Sequence, residues 1–316
     1  MTTPSTVREI DIAIAGGGPA GLAAGLYAAR ALRSTVLFEG GVLGGQIATT
    51  DAVENYPGFP EGVNGFDLSL AMQAQAERFG METVYARVTA IRRRDDGRFA
   101  LDADGAGEFL ARAVIYTAGA EYNKLGVPGE QELTGRGVSY CATCDAAFFG
   151  GQEVIVVGGG DAAVEEGLFT TRYASKVTLV HRREELRAQR VLQERAFAEP
   201  KMAFAWNSVV EAIHGDGTVD AVTLRDVRTG ETQRLATSAV FIFIGQTPNS
   251  GLLASLGVPL DAGGHAIVNA WMETPVPGLF AAGDVRSEAA RQVVSSAGDG
   301  ATAAIRADQY LTHLEG

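Results

Sequence analysis

The chain has 316 residues, 46% of them apolar, and a formal net charge of −12. That length suggests two domains and the apolar share gives each a sizeable core, while the acidic balance argues against a nucleic-acid surface, which shows as a basic patch. The opening MTTPSTVREI lacks the charged-then-apolar layout of a signal peptide, and no apolar run reaches the roughly eighteen residues of a membrane helix, so the expectation is a cytoplasmic chain with no membrane and no nucleic-acid partner.

The first predicted elements are a strand through Ile10, Ile12 and Ile14, a turn Gly16-x-Gly18-x-x-Gly21, and a helix with alanines on its packing side. The glycine pattern alone is a weak signal. In the order strand, turn, helix it makes a dinucleotide fingerprint, in which the glycines admit a tight turn and let the backbone approach a pyrophosphate at the helix N-terminus. A second strand, STVLFEG, runs to Glu39, whose carboxylate suits ribose hydroxyls.

SYCATCDAAFF, residues 139–149, holds the only two cysteines, Cys141 and Cys144. A structural zinc calls for four Cys or His ligands, commonly as two pairs; there is no second pair, and His181, His214, His265 and His313 are scattered singly. No metal is therefore expected. Two buried cysteines packing as small hydrophobes are the plain alternative. The remaining reading is a redox dithiol: Cys-x-x-Cys at a helix start lies within disulfide range, and the helix N-terminus favours the thiolate. Asp145, directly behind, can give or take a proton, and equally can serve as a first-turn acid of the helix.

The strand, turn and helix then repeat as GQEVIVV, Gly158-x-Gly160-x-x-Ala163 and a helical stretch, followed by the strand KVTLV. From Gly16 to Glu39 the spacing is 23 residues, and from Gly158 to His181 it is 23 again, with Arg182 and Arg183 next. The acidic slot of the first unit is thus basic in the second. A carboxylate there would repel a 2′-phosphate; arginines grip one through bidentate bonds. Arg187 joins them if the segment is helical; the alternative is a solvated charged face. The second unit is read as an NADPH site. Hydride from NADPH reaches a dithiol through a flavin, so the first unit is read as an FAD site. Near the C-terminus an apolar strand leads into Gly283-Asp284 and a long helical pattern; taken alone, Asp284 can simply cap a helix.

GGGPAGLAAGLYAAR, EGGVLGGQIATT, VENYPGF, GRGVSYCATCD, GGGDAAVEE, HRREELRA, FIGQTPN and GLFAAGDVRSEAARQVVSSAGDG follow one another from about residue 10 to the C-terminus. Through them the sequence resembles the bacterial-type, low-molecular-weight thioredoxin reductases. The nucleotide motifs are common to many flavoproteins; a cysteine pair inside the NADPH domain is specific to this family and its nearest relatives. The resemblance implies an α/β fold of two Rossmann-like three-layer domains, the second inserted in the first: FAD domain 1–121 and 250–316, NADPH domain 122–249. It implies a homodimer, a rotating NADPH domain, and thioredoxin as the partner. Carried over motif by motif, the FAD contacts are Gly16, Gly18, Pro19, Ala20 and Gly21 in the first turn, and Glu39, Gly40, Gly45, Gln46 and Asn55 beyond it. Val88, Ala118 and Gly119 follow, then Gly283, Asp284, Arg291, Gln292 and Val293. The NADPH contacts are Gly158, Gly160, Asp161 and Ala162, with His181, Arg182, Arg183 and Arg187, and Ile244 and Gly245. Cys144 would lie against the flavin, Cys141 would attack the partner disulfide, and Asp145 would be the acid/base. Arg136 matches a thioredoxin-contacting position, though an exposed loop arginine is its plain reading.

The departures are Ala146-Ala147 where the family has Gly and then aromatics, which touches the docking surface, and Lys124 where arginine is common. Among rivals, a ferredoxin– or flavodoxin–NADP reductase would lack the cysteine pair, and the reductase of a peroxide-reducing system would carry an N-terminal extension. A dithiol oxidase would not need the His181–Arg187 cluster, and a nucleotide-sensing module would not need both sites and a dithiol. A hydrolase reading lacks a G-x-S-x-G elbow.

Overall fold

The structure is a computed structural model and describes residues 7–49, 53 and 55–316. Residues 1–6, part of the stretch read for a leader, and residues 50–52 and 54, parts of two of the motifs, lie outside it. The chain divides into two compact units, one built from the segment up to Glu121 together with Thr247–Gly316, the other from Tyr122–Gln246.

In the first unit β1 (Arg8–Ala15), α1 (Pro19–Arg30), β2 (Thr35–Phe38), α2 (Gly65–Glu77) and β3 (Glu82–Val84) lead to the hairpin of β4 (Val88–Arg93) and β5 (Phe99–Ala103), and then to β6 (Gly107–Tyr116). β1 pairs in parallel with β2 on one side and β6 on the other, and β3 continues outward from β2. Both faces of this sheet are covered. Ile12 and Ile14 sit in one core cluster, Ala13 and Ala15 in the other, as the two-residue period of a strand requires. A strand buried on both faces reads as a continuous apolar run, which is how IAIA and TVLF appear.

β7 (Ala120–Tyr122) carries the chain into the second unit. There β8 (Val138–Ser139) precedes the short helix α3 (Ala142–Asp145), and β9 (Glu153–Val157), α4 (Asp161–Thr170), β10 (Lys176–Val180), α5 (Arg190–Ala198) and β11 (Met202–Ala205) follow. A three-stranded meander comes next: β12 (Ser208–His214), β13 (Ala221–Asp226) and β14 (Thr232–Ala236). β15 (Ala239–Ile242) completes a parallel sheet of order β11-β10-β9-β15-β8. Val210, Ile213, Val222 and Leu224 of the meander share a core with Ile155, Val157, Val180 and Ile242 of the sheet. On the other face, Ala142 of α3 and Ala163 of α4 pack with Val154, Val156 and Phe241. The unit is thus layered as sheet, sheet and helices.

β16 (Gln246–Pro248) pairs with β7. Residues from Thr247 onward group with the first unit, where Asn249 donates from its backbone N–H to Gly119 O and from Nδ2 to Ala118 O, and its carbonyl accepts from the Tyr116 hydroxyl at 2.7 Å. After α6 (Gly251–Ser255), β17 (Leu279–Ala281) pairs in parallel with the C-terminal half of β6, and α7 (Val293–Glu315) covers the sheet beside α1.

Candidate functional site

Within the first unit, several of the residues read as FAD contacts lie just past the carboxyl ends of parallel strands: Gly16–Gly18 after β1, Glu39 after β2, Ala118 and Gly119 after β6, Gly283 and Asp284 after β17; Val88 instead opens β4 of the antiparallel hairpin. This is where open α/β sheets bind ligands, and β1, with neighbours leading away on either side, marks the switch point. Gly16 has φ +119°, and a Cβ there would overlap the Thr117 carbonyl. Glu39 clamps the turn, one carboxylate oxygen accepting from Gly17 N–H at 2.7 Å and the other from Gly41 N–H at 2.5 Å. Thr117, which the sequence did not single out, donates its hydroxyl to Gly16 O at 2.8 Å.

Helix α1 begins at Gly18 with no side-chain cap, and a Cβ built on Gly18 would meet nothing within 4 Å. An uncapped helix start facing open space is what a pyrophosphate needs. The residues present therefore fit a dinucleotide. Asn55 and Gln292, 237 positions apart, are joined by a hydrogen bond of 3.1 Å, and Gln46 donates to Ala120 O. Burial pushes the Asp284 carboxyl up, opposed by a hydrogen bond from Ser296 Oγ (3.2 Å) and by Arg291. Nearby, Asp299 forms a two-point pair with Arg286 and accepts from Gly283 N–H, fixing the strand-to-helix link.

The second unit repeats this geometry. Gly158, at φ +149°, follows β9, and a Cβ there would overlap the Phe243 carbonyl. Gly160 starts α4 uncapped, again with nothing within 4 Å of a Cβ. His181 follows β10 directly; its ring is buried against Gly159, and its Nε2 has no partner among the described residues. Burial, then the charges of Arg187, Arg183 and Arg182, hold the imidazole below its usual range, so it stays neutral. The three arginines are exposed around it.

Residues 181–189 are not helical, so Arg187 does not reach the cluster by helical spacing. The loop instead folds back on the glycine turn, with Arg187 N–H donating to Gly159 O at 2.7 Å. Asp161, read as a cofactor contact, holds that loop: its carboxylate accepts from Gln189 N–H (2.7 Å) and Nε2 (3.2 Å). Ile244 and Gly245 lie exposed beyond β15, where Asn123 N–H donates to Gly245 O. A basic strand end with an uncapped helix start and a buried nitrogen unpartnered among the described residues fits a phosphorylated dinucleotide.

The cysteines lie in the same unit. Cys141 is the N-cap of α3 and Cys144 is within it, with Cα atoms 5.3 Å apart and the two sulfurs joined in a disulfide. Both are half-buried. Asp145 is not a side-chain cap of α3; its Oδ2 accepts from the hydroxyl of Ser139 at 2.6 Å. Ser139 is one of three residues here that the sequence left without a role. The second, Glu130, is buried; it accepts from Leu125 N–H, Gly126 N–H and the Tyr140 hydroxyl, while Tyr140 stacks on Tyr122. The third, Glu166 of α4, meets α3 through the Thr143 hydroxyl at 3.4 Å, and burial pushes its carboxyl up. No periodicity marks these residues. Of the aromatics after Asp145, Phe149 packs edge-on against Phe241, while Phe148 is exposed, as is Arg136. Among the described residues no group of three or more His, Cys, Asp or Glu gathers to hold a metal ion, and no helix is long and apolar enough to cross a membrane.

Comparison with known proteins agrees with this construction. The family model for pyridine nucleotide-disulphide oxidoreductases matches residues 10–302. A thioredoxin reductase of Bacillus subtilis is 50% identical over 312 residues, 98% of each chain. One from Treponema pallidum is 45% identical over 307 residues, 97% of this chain and 99% of that one. The crystal structure of thioredoxin reductase from Streptococcus pyogenes superposes with a TM-score of 0.91 at 43% identity, covering 98% of this chain and 100% of the other.

Proposed function

Because the chain belongs to the pyridine nucleotide-disulphide oxidoreductases and, among them, to the thioredoxin reductases, we propose that it passes electrons from NADPH, through FAD and the Cys141–Cys144 couple, to the disulfide of thioredoxin. The observation that carries this reading is the disulfide at the start of α3, in the same unit as a glycine turn ringed by His181 and three arginines. The first unit serves as the FAD domain and the second as an NADPH domain set into it. The flavin, when bound, supplies the relay between a hydride donor and a thiol–disulfide couple. Gly16, Gly18 and the α1 N-terminus would hold its pyrophosphate, Glu39 the ribose of its adenosine half, and Asp284 with the start of α7 its flavin half.

In the second unit Gly158 and Gly160 hold the NADPH pyrophosphate, and Arg182, Arg183 and Arg187 grip the 2′-phosphate. Glu39 in the matching slot of the first unit repels such a phosphate, which keeps the two nucleotides apart. The reduced cysteine pair then acts on thioredoxin. Cys141 Sγ gives its proton to Asp145 and attacks one sulfur of the partner disulfide. That bond breaks, a mixed disulfide forms, and the departing partner thiolate takes the proton. Cys144, deprotonated in turn, attacks Cys141 Sγ; the mixed disulfide breaks, the Cys141–Cys144 bond forms, and the second partner thiolate is protonated. Two electrons and two protons have moved. Arg136 and the exposed Phe148 flank the cysteines as contacts for the incoming protein. The enzyme works as a homodimer in the reducing cytoplasm, where a free dithiol persists.

Coupled turnover with thioredoxin tests the reading. Wild type should consume NADPH in step with disulfide reduced. Cys144→Ser should bind FAD and accept electrons yet reduce no thioredoxin; undiminished reduction by that variant would overturn it.

A further inference from the structure

We propose that Ser139 is a positioning residue that holds Asp145 in register with Cys141 and keeps it hydrogen-bonded in both of its protonation states. The proposal rests on the reading of Asp145 as the acid/base of the dithiol. Ser139 ends strand β8, is 5% exposed, and sits between the backbone of Cys141 and the carboxylate of Asp145. Its Oγ accepts from Cys141 N–H at 3.1 Å. Two oxygens compete for its single hydrogen: Asp145 Oδ2 at 2.6 Å and Cys141 O at 3.2 Å.

A hydroxyl has one hydrogen and two acceptor sites. While Asp145 is a carboxylate, the hydrogen goes to the nearer, charged oxygen. When Asp145 carries a proton on Oδ2, that proton bonds to Ser139 Oγ, and the serine hydrogen turns to Cys141 O. Cys141 N–H keeps the second acceptor site throughout. A proton can therefore arrive at or leave Asp145 Oδ2 without leaving a buried group unpaired, which would otherwise be costly. Because the same hydroxyl oxygen accepts from Cys141 N–H in either state, it also fixes Asp145 relative to the cysteine whose proton it handles. Alanine at 139 would leave Cys141 N–H without this acceptor and Asp145 without this donor.

Other ionisable groups lie near α3: Cys141 and Cys144 on the helix itself, Glu166 on α4 facing Ala142 and Thr143, and the Tyr140–Glu130 pair beside β8. The limb belonging to Asp145 is therefore defined as the one that Asp145→Asn removes from the pH profile of kcat for thioredoxin-disulfide reduction by the FAD-loaded enzyme. A donor to the charged form lowers a carboxyl's pKa. In Ser139→Ala that limb should move upward by about one pH unit, as the loss of a charge-assisted bond implies, and kcat should fall roughly tenfold or more. Ser139→Thr, which keeps the hydroxyl, should restore limb and rate together.

A limb unmoved in Ser139→Ala, or an equal loss of rate in Ser139→Thr, overturns the proposal while leaving Asp145 as the acid/base. An Asp145→Asn profile that loses no limb is a separate result, and sinks the reading of Asp145 itself. Should Ser139→Ala not fold, Ser139→Gly takes its place with the same expectation.

Discussion

Glu39 and His181 stand at matching places in the two units and do different work. Glu39 uses both carboxylate oxygens to tie down its glycine turn; His181 fills the space beside Gly159 with a neutral, buried ring. Both were legible, because each lies a fixed distance past a glycine turn that marks a strand end. Ser139 and Thr117 were not: a lone hydroxyl carries no periodic signal, and its role depends on an oxygen brought close by the fold. Replacing Arg182, Arg183 or Arg187 by Gln should raise KM for NADPH by about tenfold each, the scale of one charge-assisted bond, and leave KM for NADH in place; steady-state kinetics with both nucleotides checks this. Asp284 gives a pH prediction. Burial raises its folded pKa above that of the unfolded chain, so the stability its protonated form provides is present below the ordinary carboxylate range and is lost as pH rises through the raised value. In nucleotide-free protein, Asp284→Asn should melt higher than wild type at neutral pH, and the gap should close on acidification. Melting curves across that range would contradict this if the two proteins kept a constant difference.

Among elements, α7 and α1 pack closely in one of the first unit's two cores. Gly300 makes this possible, since a Cβ there would drive into the Ala20 carbonyl. Gly300→Ala should destabilise by about 1–3 kcal/mol, the usual scale of overpacking, read as a lower melting temperature. In the second unit the sequence expected a possible helix through Arg187 and the structure has a loop. Charged residues at helical spacing are no helix when backbone groups find better partners; here Gly159 O and Asp161 take the N–H groups of Arg187, Ala188 and Gln189. Asp161 therefore holds the loop that carries Arg187, and in the proposed NADPH site it would act through that loop. Asp161→Ala should raise KM for NADPH with little change in kcat, because it loosens the arginines without touching the reacting atoms.

For the molecule as a whole, the strand–turn–helix repeat was readable because buried parallel strands are continuous apolar runs and their turns need glycine. The β4–β5 hairpin and the β12–β14 meander were not anticipated, since β4 and β14 are largely exposed and none of these strands carries a motif. The proposed chemistry depends on one path, from NADPH through flavin to the sulfur pair at α3. The most direct test is an anaerobic titration of the FAD-loaded protein, followed by its yellow absorbance. The account predicts that NADPH, and NADH only poorly, bleaches the colour, and that oxidised thioredoxin restores it in wild type but not in Cys144→Ser. A protein that takes up no flavin, bleaches equally with NADH, or is reoxidised by thioredoxin without Cys144 would contradict it.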